Sequence, residues 1–171
     1  MEKSMNVIGE PIHRIDARGK VTGETLYPGD VHLPGQAFMK ILFTHRPHAI
    51  IKSINTCEAD ALPGVIATFT AKDVPVNEYG LIYDDQPVLC GPGSSKPYTD
   101  RVRFIGDQVA LVIAETEEIA TKARDLIKVE YEDLPVITDM VKAMEDGSVL
   151  LHPDHGSNIF CHYRIRKGDI E

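Results

Sequence analysis

Residues 108–132 read QVALVIAETEEIATKARDLIKVEYE, and this stretch decides the fold. Val109–Ala114 is an unbroken apolar run of six residues, rich in β-branched side chains and bounded by Gln108 and Glu115. A run of that length predicts a strand buried on both faces. Thr116 then offers a side-chain oxygen as helix N-cap, and Glu117 and Glu118 place negative charge in the first turn, where the helix dipole favours it. Ile119, Ala120, Ala123, Leu126 and Ile127 recur at helical spacing and mark one buried helix face. From Lys128 to Glu132 the period falls to two. Val129 and Tyr131 alternate with Lys128, Glu130 and Glu132, as in a strand with one wet face.

Outward from this strand–helix–strand unit the pattern stays mixed. Gln36–Thr44 predicts a strand closed by Pro47, Ile50–Ile54 a second and Val65–Phe69 a third. Between the last two, Asn55–Leu62 reads as a helical turn with Asn55 or Thr56 as cap and Pro63-Gly64 as the stop. Residues 71–101 carry Pro75, Gly80, Pro87, Gly91, Pro92, Gly93 and Pro97, the marks of a long structured surface loop, and Val102–Ile105 resumes extended structure. Downstream come a short helix over Asp139–Met144, a polar connector over Leu150–Gly156 and a strand over Asn158–Arg166. Residues 1–35 are rich in turn formers and read as a segment wrapping along a body. The regular alternation of a doubly wound sheet is missing, so the fold class is α+β.

Composition bounds the function. The chain has 171 residues, 43% hydrophobic and 26% charged, which is globular and excludes a disordered or collagen-like chain. Eighteen basic against 26 acidic residues give a net charge of −8, which disfavours nucleic acid and anionic membranes as partners. No run approaches the roughly 20 apolar residues of a membrane helix. Glu2 and Lys3 stand where the apolar stretch of a signal peptide would begin, so a cytoplasmic location is expected. Three scattered cysteines, Cys57, Cys90 and Cys161, form no CxxC and no disulfide framework.

Candidate chemistry is thin. His45 and His48 are three apart, as are His152 and His155, and a zinc set of His152, His155, Cys161 and His162 can be drawn; its spacing matches no zinc signature, and Pro153 interrupts it. Gly91-Pro92-Gly93-Ser94-Ser95-Lys96 has the composition of a phosphate loop without the G-x-x-x-x-G-K-[ST] spacing. Glu117/Glu118 and Asp84/Asp85 are adjacent rather than convergent, the former explained by capping and the latter by a loop. Cys90 could be exposed in its turn-rich loop, with no cation beside it to lower its pKa. Catalytic, cofactor-binding and metal-binding residues are therefore expected to number none.

One ordered set of motifs carries identity. Gly9-x-Pro11-x-x-Arg14-x-Asp16-Ala17, Lys20-Val21-Thr22-Gly23-Glu24 and Tyr27-x-x-Asp30 resemble the opening of the molybdenum-binding subunit of the xanthine dehydrogenase and aldehyde oxidase family. Thr44-x-x-x-His48-Ala49-x-Ile51, Pro63-Gly64-Val65, Asp73-Val74-Pro75 and Gln86-Pro87-Val88-Leu89 follow in order. Val102-Arg103-Phe104-Ile105-Gly106-Asp107-x-Val109-Ala110 and Val129-Glu130-Tyr131-Glu132-x-Leu134-Pro135 complete the set. Thr25, in place of a small alanine, and Gln86, in place of an acid, depart from the family pattern.

The resemblance implies the α/β-hammerhead domain, with a mixed β-sheet and few helices. It implies an N-terminal extended arm over 1–15, the hammerhead over 16–137, and over 138–171 a connector and first strand of a truncated cofactor-binding region. In that family a molybdenum–molybdopterin centre hydroxylates aldehydes or N-heterocycles such as purines, with electrons leaving through iron–sulfur clusters to FAD. Those ligands are expected on other polypeptide, so this chain is expected to bind no cofactor, to be inactive alone, and to partner the remainder of the molybdenum subunit and the iron–sulfur and flavin domains. His48 is expected to make a turn-stabilising hydrogen bond, and Gly23, Gly64 and Gly106 to serve backbone geometry. A separately encoded assembly module that docks on a split molybdoenzyme is the alternative. An independent small hydrolase or metal enzyme is a third reading, weakened by the lack of a triad or ligand set.

Overall fold

The computed structural model describes Gly9, residues 11–81 and residues 83–169. Its contacts divide into two compact units, Met1–Gln36 and Ala37–Glu171. In the first, Ala17–Thr22 forms helix α1 and Pro28–Asp30 a 3-10 turn. Arg14 and Lys20 both pair with Asp16 and hold its carboxyl below the usual carboxylate range. None of the described residues of this unit is buried, so it has no core of its own. Most of the expected arm over 1–15 lies outside the described residues; residues 11–14 are irregular.

The described residues of the second unit form six strands. β1 is Phe38–Phe43, β2 Ala49–Asn55, β3 Val65–Thr70, β4 Arg101–Val102, β5 Gln108–Ala114 and β6 Lys128–Asp133. Helices α2 (Cys57–Asp60), α3 (Glu117–Leu126) and α4 (Met140–Ala143) lie between and after them. The strands form two three-stranded sheets, ordered β1-β5-β3 and β4-β2-β6. All named ladders are antiparallel, where a mixed sheet was expected. The reason is topological: α3 does not carry the chain back into the sheet of β5 but delivers β6 to the other sheet, beside β2, so no parallel crossover arises. The α+β class and hammerhead architecture hold.

Register fixes the faces. Leu42, Ala110 and Thr70 lie across from one another on β1, β5 and β3, as do Lys40, Val112 and Thr68. This face meets α3: Ala110, Val112, Ala123, Ile127 and Ala59 of α2 form one buried cluster. Ala49, Ile51, Cys90, Val102 and Val109 form a second, and Ile54 and Val129 pack against both. The start of α3 is built as the sequence predicts, with Thr116 Oγ1 accepting from the Ile119 N–H at 3.2 Å. Lys40 pairs with Glu117 at 2.5 Å and holds that carboxyl below its usual range. Gly64 lets the turn before β3 press against the helix: its φ is +89°, and a Cβ there would sit 2.7 Å from Ile119 Cδ1.

Three expectations change. Extended structure after Arg101–Val102 stops early because the Asp107 carboxylate accepts from the Arg103 and Phe104 N–H groups at 2.5 and 3.2 Å and folds the chain into a turn. The segment Asn158–Arg166 alternates like a strand but forms none. Residues 159–166 are exposed and find no strand edge to pair with among the described residues, and an unpaired strand does not hold itself together. The loop over 71–101 is structured, yet it contributes core: Ala71 and Leu89 are fully buried, and Asn77 pairs with the Leu89 main chain in both directions, at 2.8 and 2.9 Å.

Val112 is fully buried beneath α3. Val112→Asp would place an unpaired charge there, and the expected loss is more than about 3 kcal/mol. Thermal melting followed by circular dichroism checks this; an unchanged melting temperature would displace Val112 from the core.

Candidate functional site

The polar residues of the second unit converge where the loop over 71–101 and β4 meet the connector after α4. Pairing of β4 with β2 turns Val102 inward, leaving Arg101 and Arg103 to reach along the surface. Arg103 Nε donates to Leu151 O at 2.8 Å, and its Nη1 and Nη2 donate to Arg101 O and Tyr98 O at 3.3 and 3.5 Å. Burial pulls the Arg103 pKa below the ordinary guanidinium value. Arg101 Nη1 donates to Leu150 O at 3.5 Å. Asn158 closes the connector on itself: its Oδ1 accepts from the Leu151 N–H at 2.9 Å, and its Nδ2 donates to Val149 O and Ala143 O at 2.8 and 3.0 Å.

A cleft of about 840 Å³ opens between these elements, lined among others by Tyr83, Asp85, Lys96, His152, Asp154 and Phe160. The Tyr83 and Phe160 rings meet edge to face, 5.3 Å between centroids. A smaller cleft of about 280 Å³ includes Gln86, Arg103 and Asp107. His152 lines both, and burial, then the Arg103 charge, lower its pKa.

The residues singled out in the sequence separate. His48 is 2% exposed; its Nδ1 lies 2.8 Å from Pro135 O, which can only accept, so Nδ1 carries the proton. The bond ties the segment after β6 to the start of β2, a contact between distant parts of the chain where a turn-stabilising bond was expected. His45 sits in the turn before it, in the left-handed region at φ 54°. His155 lies 3.3 Å from Ile159 O through Nε2. Among the described residues, no group of three or more His, Cys, Asp or Glu side chains could hold a metal, so the drawn set of His152, His155, Cys161 and His162 does not assemble. Cys90 is buried, not exposed, and burial first, then the Asp107 charge, push its thiol to about 12. Cys57 and Cys161 are exposed.

The phosphate-like loop is engaged in its own fold. The Gly91 N–H donates to Thr99 O at 2.8 Å, and Lys96 Nζ pairs with Glu78 at 2.8 Å while donating to Asp84 O at 2.5 Å. Asp84, Asp85 and Asp154 make the larger cleft acidic around that one occupied cation. An anionic pterin cofactor needs free donors; Lys96 and three of the five Arg103 N–H groups are already engaged with main-chain oxygens or a carboxylate, while Arg101 Nε is buried without a hydrogen-bond partner. The three aspartates of the larger cleft oppose an anion there.

Asn77, Arg101, Arg103 and Asn158, the polar staples of this region, escaped reading by periodicity. Their partners are main-chain atoms far along the chain, which no spacing reveals. The only trace was the place of Arg103 in a matched motif and of Asn158 at the head of the alternating segment.

Residues 22–135 match the family model described as "Aldehyde oxidase and xanthine dehydrogenase, a/b hammerhead domain". The chain is 44% identical over 167 residues to a probable xanthine dehydrogenase subunit of Bacillus subtilis, covering 96% of this chain and 21% of that protein. It is 33% identical over 161 residues to a xanthine dehydrogenase molybdenum-binding subunit of Escherichia coli, covering 92% and 21%. Among solved structures, the CO dehydrogenase of Oligotropha carboxidovorans superposes with a TM-score of 0.74 at 36% identity, over 85% of this chain and 18% of that one. The chain belongs to the hammerhead-domain family of aldehyde oxidases and xanthine dehydrogenases. It spans about a fifth of the length of these relatives.

Two outcomes are expected. A thiol reagent should label Cys57 and Cys161 in the native chain and Cys90 only after unfolding, so two of three thiols react under native conditions; native reaction of all three would contradict the burial of Cys90. For His152, the folded pKa lies below its ordinary value of about 6.5. The unfolded chain therefore binds the proton first, and stability falls as pH drops below that value. Measured as melting temperature from pH 7.5 to 5.5, the native chain should lose ground against His152→Gln; parallel curves would refute the shift.

Proposed function

We propose that this chain is the non-catalytic hammerhead domain of a molybdenum hydroxylase of the xanthine dehydrogenase and aldehyde oxidase type. The enzyme it serves oxidatively hydroxylates aldehydes or N-heterocycles such as purines. Its molybdenum–molybdopterin centre, iron–sulfur clusters and FAD are held by other domains or subunits, which are this chain's partners, in the cytoplasm. The division at 16–137, with 138–171 leading into cofactor-binding polypeptide, belongs to the same reading. The observation that carries it is the hammerhead family match over residues 22–135 in a chain that spans about a fifth of its relatives' length, and the engagement of Arg103 and Lys96 within the domain supports a scaffolding role. Family membership supports the enzyme class; among the described residues no helix is long and apolar enough to cross a membrane.

The chemistry this chain contributes is positional. Arg101, Arg103 and Asn158 hold the connector by its carbonyls, and so set the direction in which residues 159–169 leave the domain. The purified chain should retain no stoichiometric molybdenum and oxidise neither xanthine nor an aldehyde with a dye as electron acceptor. Turnover by the chain alone, with metal found by elemental analysis, would overturn the reading.

A further inference from the structure

Sheet β1-β5-β3 has a second face, opposite α3. Register places Ile41, Leu111 and Phe69 in one row across it, and Met39, Ile113 and Ala67 in the next. None of the six is ionisable, none is fully buried, and Met39 is 55% and Phe69 37% exposed. The other sheet is built differently: Lys52 pairs with Glu132, and Ser53 donates to Glu130, across β2 and β6. The same chain thus makes a polar face in one sheet and a contiguous apolar one in the other, and an uncharged face in so acidic a chain marks an interaction surface.

Resting on the function proposed above, we infer that this face docks the polypeptide making up the remaining four-fifths of its long relatives, in the same chain or a separate one. Two observations select that occupant. The relatives carry that polypeptide beside the matched fifth, so a large permanent neighbour exists for a contact without charges. A second copy would instead bring another net charge of −8 against the first.

The test co-expresses the 171-residue chain with the Bacillus subtilis relative lacking the segment this chain matches, and follows the complex by size exclusion and hydroxyl-radical footprinting. Met39 and Phe69 should be oxidised readily in the free chain and shielded in a one-to-one complex. Met39→Glu with Phe69→Lys should weaken the complex about tenfold or more while melting at the wild-type temperature, and Lys52→Glu, on the other sheet, should bind as wild type. Grafting residues 1–171 into the full-length relative repeats the footprint within one chain, covering the case of a large piece that does not fold by itself. A complex that forms equally well with the double variant and leaves Met39 reactive overturns the surface while sparing the proposed function. Shielding of Met39 by self-association of the chain alone makes a second copy the occupant and also overturns it. Absence of any complex with the wild-type chain, together with a graft that leaves Met39 exposed, sinks the proposed function itself.

Discussion

The second unit rests on the close seating of α3 on sheet β1-β5-β3. The contact is made with small side chains: Ala120 and Ala123 from the helix, Ala110 and Val112 from the central strand, and Ala59 from α2, all without solvent exposure. Small residues bury little area each, so their contribution depends on close packing more than on bulk. That makes the geometry of approach strict. Gly64 belongs to the same constraint, because its φ of +89° strains any side chain and a β-carbon there would displace the end of the Ile119 side chain. Ile54 and Val129 then extend this core into that of the second sheet, so the two sheets share one set of tolerances.

That constraint explains which parts of the fold were legible. β5 and α3 announce themselves because both of their faces are decided locally: the run Val109–Ala114 has no polar side to offer, and Thr116 is followed at once by acidic first-turn residues. Sheet membership was not legible. The lysine–glutamate alternation of β6 predicts a half-wet strand but not its partner, and the pairing of Ile51 with Tyr131 is fixed by the path of α3. The alternation of residues 158–166 is as strong as that of β6, yet no strand forms, because alternation describes a strand's faces and leaves its edges unspecified.

The site was less legible than the fold. Histidines, cysteines and a glycine-rich loop are residue types that carry reactions, yet the structure uses them for architecture: His48 holds Pro135, Cys90 fills a core and the Gly91 N–H binds Thr99. The residues that organise the clefts are arginines and asparagines acting on carbonyl groups. Such side chains replace missing ladder bonds wherever backbone is buried outside regular structure, and the loop over 71–101 contains much of that backbone. Its prolines and glycines signalled irregularity. They did not say that the irregular path would be pinned as firmly as a sheet.

Pinning of this kind accords with the scaffolding role proposed for the domain. A catalytic pocket keeps polar groups unsatisfied or strained so that a substrate can complete them. Here Arg103 commits three of its five donors to main-chain oxygens, and Asn158 uses both ends of its amide within the connector. A guanidinium engaged in that way resists recruitment, since any ligand must first replace bonds made without loss of translational freedom. Those bonds instead fix the point at which the connector leaves the domain. On the proposed reading, donors turned onto the domain's own main chain and an apolar sheet face serve one end: the face would be held by a neighbour, and a pinned connector would bring that neighbour in at a fixed angle.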